Sequence, residues 1–246
     1  YMQYISANRL IHISAAILAA MEIVAHRGYG DVYPENTLAA FEQAAETADW
    51  IELDVRPCRT GELVVFHDEW LGRLTDATGR VVNASWDELQ TLEVLDSGER
   101  IPRLDEALQT IPADTGVEIE LKEWGLVEDV LDAVDTIDNP VTIISFSPLA
   151  LHAVAEATTE IPLGHVLYHG LYEDAPVLGL DTAAHLGCNT VHLFHSMGAD
   201  ADVVETAHDR GLVVQTATPE EGPTPEVLEE YRDIGIDRIS TDRPIE

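Results

Sequence analysis

From Glu22 onward, short apolar runs alternate with longer stretches of helical period. The runs EIVAH (22–26), WIELDV (50–55), GVEIELK (116–122), VTIISF (141–146), IPLGHVLY (161–168), NTVHLF (189–194), LVVQTA (212–217) and DRIST (237–241) make eight candidate strands. Between them lie helical patterns such as ENTLAAFEQAAETA, in which Leu38, Phe41, Ala45 and Ala48 recur at three- and four-residue spacing. Strands alternating with helices build parallel sheets. Eight such units in a chain of 246 residues predict an α/β protein, a (β/α)8 TIM barrel.

The repeat breaks after the second strand. The connection from Arg56 to Glu62 is too short for a parallel crossover, so LVVFH (63–67) is expected to return antiparallel, turning near Thr60 and Gly61. The returning arm then brings His67 back to the level of Asp54. Residues 68–115 lie outside the barrel, with helix signals at SWDELQTL and LDEALQTI, and the first part reads as a small cap over the site. The chain thus divides into an N-terminal extension, 1–20, and a single domain, 21–246, with an insertion at about 56–100. The helix expected after the last strand is missing, and residues 8–20 are a candidate helix to cover that gap.

Strand polarity places the chemistry. A barrel strand must be apolar on its outer face to receive helices, and side chains alternate along it. In IELDV the apolar Ile51, Leu53 and Val55 therefore face outward, leaving Glu52 and Asp54 inward. The same reading turns Glu118, Glu120 and Lys122 inward against Val117, Ile119 and Leu121.

Composition sharpens this picture. The chain carries 46 acidic against 13 basic residues, a formal charge of −33. Such a surface repels nucleic acid phosphates and anionic membranes, so neither is an expected partner. Lys122 is the single lysine, a pattern that suits a salt-loving host, where ions screen the surface's self-repulsion. Cys58 and Cys188 have no metal-type spacing and read as reduced packing residues. The apolar run from Leu10 to Ala20 is shorter than the ~20 residues that span a bilayer. It has the length of a signal-peptide core, but MEIVAHRG at Met21 has the look of a natural start, and a soluble cytoplasmic protein is the expectation.

Several inward carboxylates without a cation would cost several kcal/mol per uncompensated ion. Three convergent carboxylates make a hard-oxygen site suited to Mg²⁺ or Ca²⁺, with positions left for water and a substrate phosphate. Salt bridges to Arg27 and Lys122 are the alternative, although two cations do not balance four acids. His26 and His67 flank this cluster at strand and hairpin ends. Each titrates near neutrality, so together they can serve as general acid and general base. His12, His152, His165, His169, His185 and His208 read as ordinary core or surface residues.

HRGYGDVYPENT, IELDV, VVFHD followed by RLTDATG, EIELK, ISFSP and ISTDRP occur in the order and approximate spacing of the glycerophosphodiester phosphodiesterase family. The chain resembles that family over nearly all of Glu22 to Pro244. The resemblance implies a barrel related to phosphatidylinositol-specific phospholipase C that cuts small glycerophosphodiesters to glycerol 3-phosphate and an alcohol. It matches His26 and His67 to the acid/base pair, Glu52, Asp54 and Glu120 to the ligands of one divalent metal, and Arg27 and Lys122 to phosphate-side cations. A lysophospholipase-D-like activity, needing an apolar rim, and a barrel that binds phosphate ligands without turnover are the alternatives.

Two positions depart from the family. Gln215 stands where the family usually has Trp before Thr216, and Glu118 where it often has a neutral amide. His192 is a further candidate for the pocket wall. Asn36 in ENT is read either as a helix N-cap or as a support for the site.

Overall fold

The computed structural model describes residues 21–219 and 222–245; the candidate helix at 8–20 lies outside them. All eight candidate strands form, as β1 (Glu22–Ala25), β2 (Trp50–Pro57), β4 (Gly116–Leu121), β5 (Val141–Ser145), β6 (Leu163–Val166), β7 (Thr190–Leu193), β8 (Val213–Ala217) and β9 (Arg238–Thr241). Each pairs in parallel with its neighbours, and β1 pairs with both β9 and β2, which closes the barrel. The ninth strand, β3 (Leu63–Val65), is the expected antiparallel return on β2, with Val55 opposite Val65. Gly61, at φ 105°, supplies its turn.

The outward and inward faces follow the alternation. Ile51, Leu53, Val55, Val117, Ile119 and Leu121 join the main core beneath the helices, whereas Glu52, Asp54, Glu118 and Glu120 are buried on the inner side. A second, smaller core belongs to the insertion: Phe66, Leu71, Leu74, Val81, Leu89 and Val94 pack together with Cys58 and Val64. The insertion therefore stands as a lobe beside the barrel mouth, with His67 at its root. Its helical signals form as Trp86–Leu89 and Leu104–Thr110. Among the described residues, no helix is long and apolar enough to cross a membrane.

The helix Leu38–Ala44 decides between the two readings of Asn36. Its N-cap is Thr37, whose hydroxyl accepts from the Ala40 N–H at 3.3 Å. Asn36 has φ 60° and turns inward instead. Its place in the left-handed region frees its side chain for the strand beside it.

Between β1 and that helix the chain makes a left-handed turn, with φ 52° at Arg27, 74° at Gly28 and 65° at Tyr29. A Cβ on Gly28 would lie 2.9 Å from Ala40 Cβ as well as adopting a conformation costly for L-residues. Gly28→Ala should therefore lower stability by about 1–3 kcal/mol in urea denaturation. An unchanged midpoint would show that the turn tolerates a side chain.

Candidate active site

The ends of β1, β2 and β4 meet at the barrel mouth. Register sets Glu52 beside Glu118 and Asp54 beside Glu120, but the side-chain oxygens group three and one. In the upper group, one oxygen each of Glu52, Asp54 and Glu120 lies within 4.8 Å of the others. Glu118 lies apart from them, in a lower layer. There it accepts from Gln215 Nε2 at 2.9 Å and from Arg238 Nη1 at 3.2 Å.

The three upper acids are held unequally. Asp54 receives Lys122 Nζ at 2.8 Å, Arg27 Nε at 3.4 Å and the Asn36 amide at 2.7 Å. Burial opposes its ionisation, but the Lys122 and Arg27 charges hold it well below the usual carboxylate range. Glu120 takes the other side of the same ammonium at 2.7 Å; burial nonetheless leaves its pKa raised. Glu52 has no lysine or arginine side chain in contact, and only His26 Nε2, 3.9 Å away, faces it as a titratable cation. It accepts the Arg27 backbone N–H at 3.0 Å, an interaction aimed by the left-handed turn. Its second oxygen is buried without a partner. Burial and the adjacent Asp54 charge push it up to about 8.

That arrangement fits a hard divalent cation. An ammonium already bridges two of the acids, the third is uncompensated, and all three donors are oxygens. The donor set favours Mg²⁺ or Ca²⁺ over softer metals.

The two imidazoles sit in matched settings. His26 Nδ1 lies 2.7 Å from Asp242 Oδ1, and His67 Nδ1 lies 2.7 Å from Asp68 Oδ1. The Phe66 N–H donates to the Asp54 carbonyl at 2.9 Å, which brings the following His67 to the triad. His26 Nε2 is 3.9 Å from Glu52 Oε2. Burial lowers both pKa values; for His26 the Asp242 hydrogen bond and Glu52 charge more than reverse this, whereas His67 remains lowered.

A supporting ring surrounds them. Glu35 accepts from Arg27 at 3.0 Å and from both Arg73 terminal nitrogens, at 2.6 and 2.8 Å. Arg73 also clasps Asp68, so the insertion fixes the carboxylate that fixes His67. Asp68 is held down to about 2, chiefly by its Arg73 hydrogen bond. Arg56 Nε donates to the His67 carbonyl at 2.9 Å. A cavity of about 370 Å³ opens over the triad, bounded on its far side by Phe146, His192, Phe194 and Gln215.

All seven sequence-predicted site residues therefore meet at one mouth. Lys122 is engaged with Asp54 and Glu120 and lies 5.7 Å from the Phe146 ring centroid. Asp242, Asp68, Glu35 and Arg73 had no predicted role. Their signals were the positions of Asp68 beside His67, Asp242 in ISTDRP and Glu35 in ENT.

The fold and mouth define a class: TIM-barrel proteins whose mouth sets a buried acid triad, able to hold a metal ion, between two histidines. Residues 26–246 match the model of the glycerophosphoryl diester phosphodiesterase family, and the chain belongs to that family. It is 31% identical over 237 residues to a glycerophosphodiester phosphodiesterase of Caldanaerobacter subterraneus, covering 90% of this chain and 94% of that one. The fold is similar to the Thermotoga maritima glycerophosphodiester phosphodiesterase at TM-score 0.75 and 27% identity, over 90% of this chain and 94% of that one. An Oleispira antarctica phosphodiesterase, solved with its product sn-glycerol-3-phosphate, superposes at TM-score 0.77 with 26% identity, over 91% and 93%.

The uncompensated Glu52 has a measurable consequence. Its folded pKa of about 8 lies above the ordinary 4.5, so its contribution to stability is complete below about pH 4.5 and is lost as pH rises through 8. In EDTA, the wild type should lose stability between pH 5 and 8 beyond what Glu52→Gln loses. Urea denaturation of both at the two pH values decides this, and equal losses would contradict it.

Proposed function

We propose that the protein hydrolyses water-soluble glycerophosphodiesters to sn-glycerol 3-phosphate and an alcohol. The observation that carries this reading is the pair of imidazoles, each pinned through Nδ1 to a carboxylate, on either side of a buried acid triad. Family membership and the product complex of the Oleispira relative support it.

Glu52, Asp54 and Glu120 would hold one divalent cation, Mg²⁺ or Ca²⁺. When bound, it supplies Lewis-acid stabilisation of the charge that develops on the phosphoryl oxygens. With Nδ1 committed to Asp242 or Asp68, each histidine works through Nε2. One ring takes the proton of the attacking O–H as its oxygen bonds to phosphorus; where a neighbouring glycerol hydroxyl attacks in place of water, the cyclic phosphate formed is opened by water in a second round of the same proton transfers. The other gives a proton to the alcohol oxygen as the P–O bond breaks. Arg27 and Lys122 face the phosphate with charge that the acid triad otherwise holds. Asp242, Asp68, Glu35 and Arg73 position the rings and Arg27.

A second reading, cleavage of lysolipids in the manner of a phospholipase D, is favoured by one observation. Trp124, Leu149 and Leu171 are 82%, 76% and 68% exposed just beyond β4, β5 and β6. Together with Phe146 and Phe194 they give the mouth an apolar arc. In the insertion, Trp70 and Leu95 are also exposed. Turnover of lysophosphatidylcholine exceeding that of glycerophosphocholine would favour this reading over the first.

The test of the main reading is turnover of glycerophosphodiesters at high salt. EDTA should abolish it and added Mg²⁺ or Ca²⁺ restore it, while His26→Ala and His67→Ala each lower kcat roughly 10²–10⁴-fold with circular dichroism unchanged. Undiminished turnover in both variants would remove the acid/base roles, and absence of turnover in the wild type would leave a binding barrel.

The profile of kcat/KM against pH should be bell-shaped. Asp242 raises the pKa of His26, so Asp242→Asn should move the alkaline limb to lower pH. A limb that stays in place would separate Asp242 from the titrating group.

A further inference from the structure

Opposite the acid triad, the pocket ends on polar groups that the hydrolytic steps leave unused. Gln215 and His192 are register partners on β8 and β7, and both line the pocket. They are 1% and 8% exposed. A strut beneath them fixes the Gln215 amide. Its Nε2 donates to Glu118 Oε2 at 2.9 Å, and Glu118 accepts Arg238 Nη1 at 3.2 Å. Arg238 is itself stacked 4.0 Å above the Trp50 ring and donates to Glu22 at 2.6 Å.

The strut determines which end of the amide is left. With the NH₂ group spent on a carboxylate, Gln215 Oε1 remains as an acceptor, and it is buried with no partner. Beside it, His192 Nε2 also lacks one and is 3.8 Å from Glu118 Oε1. Burial pushes the His192 pKa down to about 3, so the ring is neutral and adds no charge to the floor. A buried acceptor left unpaired costs about 1–3 kcal/mol, and a phosphate diester has no proton to offer it. A hydroxyl has.

We propose that Gln215, positioned by Glu118 and Arg238 and flanked by His192, is a specificity-determining residue that accepts a hydrogen bond from a hydroxyl of the substrate's polyol. The proposal rests on the phosphodiesterase reading and deepens it. The hydroxyl belongs either to the glycerol retained in the product or to the alcohol that leaves, and these sources call for separate measurements.

In the first, calorimetry with Mg²⁺ present compares sn-glycerol 3-phosphate with propyl phosphate, which lacks the hydroxyls. In the second, kcat/KM is compared for glycerophosphoglycerol and glycerophosphocholine. The wild type should prefer the hydroxyl-bearing member of at least one pair by about tenfold or more, because a site built for a hydroxyl rejects its deoxy analogue. Gln215→Met, similar in length but without the acceptor, should collapse that ratio toward one, and the arm that collapses names the source.

A wild type that discriminates in neither arm overturns the proposal whether or not the variant folds. A ratio that survives in folded Gln215→Met overturns it as well. If no diester is turned over, the hydrolytic reading fails, while the binding arm still decides the role of Gln215.

Discussion

The constraint on which this structure depends is like-charge crowding inside the barrel. Parallel pairing of β2 and β4 sets Glu52 against Glu118 and Asp54 against Glu120, and the requirement for an apolar outer face forbids turning them out. Four acids in a region shielded from bulk water, three in the upper layer and one in the lower, must be compensated or protonated. The layers resolve this differently. Below, Arg238 and the Gln215 amide satisfy Glu118 with resident groups. Above, Lys122, Arg27 and Asn36 satisfy Asp54 while Glu52 keeps an unpartnered oxygen. The lower acid is satisfied by resident groups, and the upper layer is left unfinished in a way that suits an added cation.

The same crowding explains the unusual backbone at the end of β1. A cationic side chain for Glu52 would complete the upper layer and close it. The chain instead turns left-handed through Arg27, Gly28 and Tyr29 and offers a backbone N–H, which orients the carboxylate without neutralising it. The Arg27 guanidinium is sent on to Asp54 and Glu35. Strain in the turn is sustained by the packing of Gly28 against Ala40 and Phe41.

Much of this was legible in the sequence because it depends on short-range periodicity. Alternation in IELDV and VEIELK gave the inward acids, and the brevity of the link between Arg56 and Glu62 gave the hairpin that carries His67. What escaped were partners joined only by closure of the fold. His26 and Asp242 are 216 residues apart, and the place of Asp242 in ISTDRP does not say which side chain it meets. Arg73 reaches Glu35 across 38 residues from the insertion, whose own small core has no regular period. The two readings of Asn36, cap or support for the site, stayed open for a related reason: Asn and Thr both cap helices, and only the φ of 60° at Asn36 separates them.

The charge balance also takes on a different meaning once the site is seen. A chain with 46 acids and 13 bases has few cations to place, and any fixed at the mouth must resist being drawn to the many carboxylates elsewhere. Arg27, Arg56, Arg73 and Lys122 are each held by at least one short contact to a group within or bordering the pocket. Exposed pairs on the outer surface contribute little and are screened by salt, whereas these partly buried ones retain their field. An anionic diester approaching a protein of charge −33 therefore meets long-range repulsion first and the fixed Arg27 and Lys122 charges only at close range. High ionic strength, by screening the outer surface, weakens that long-range repulsion.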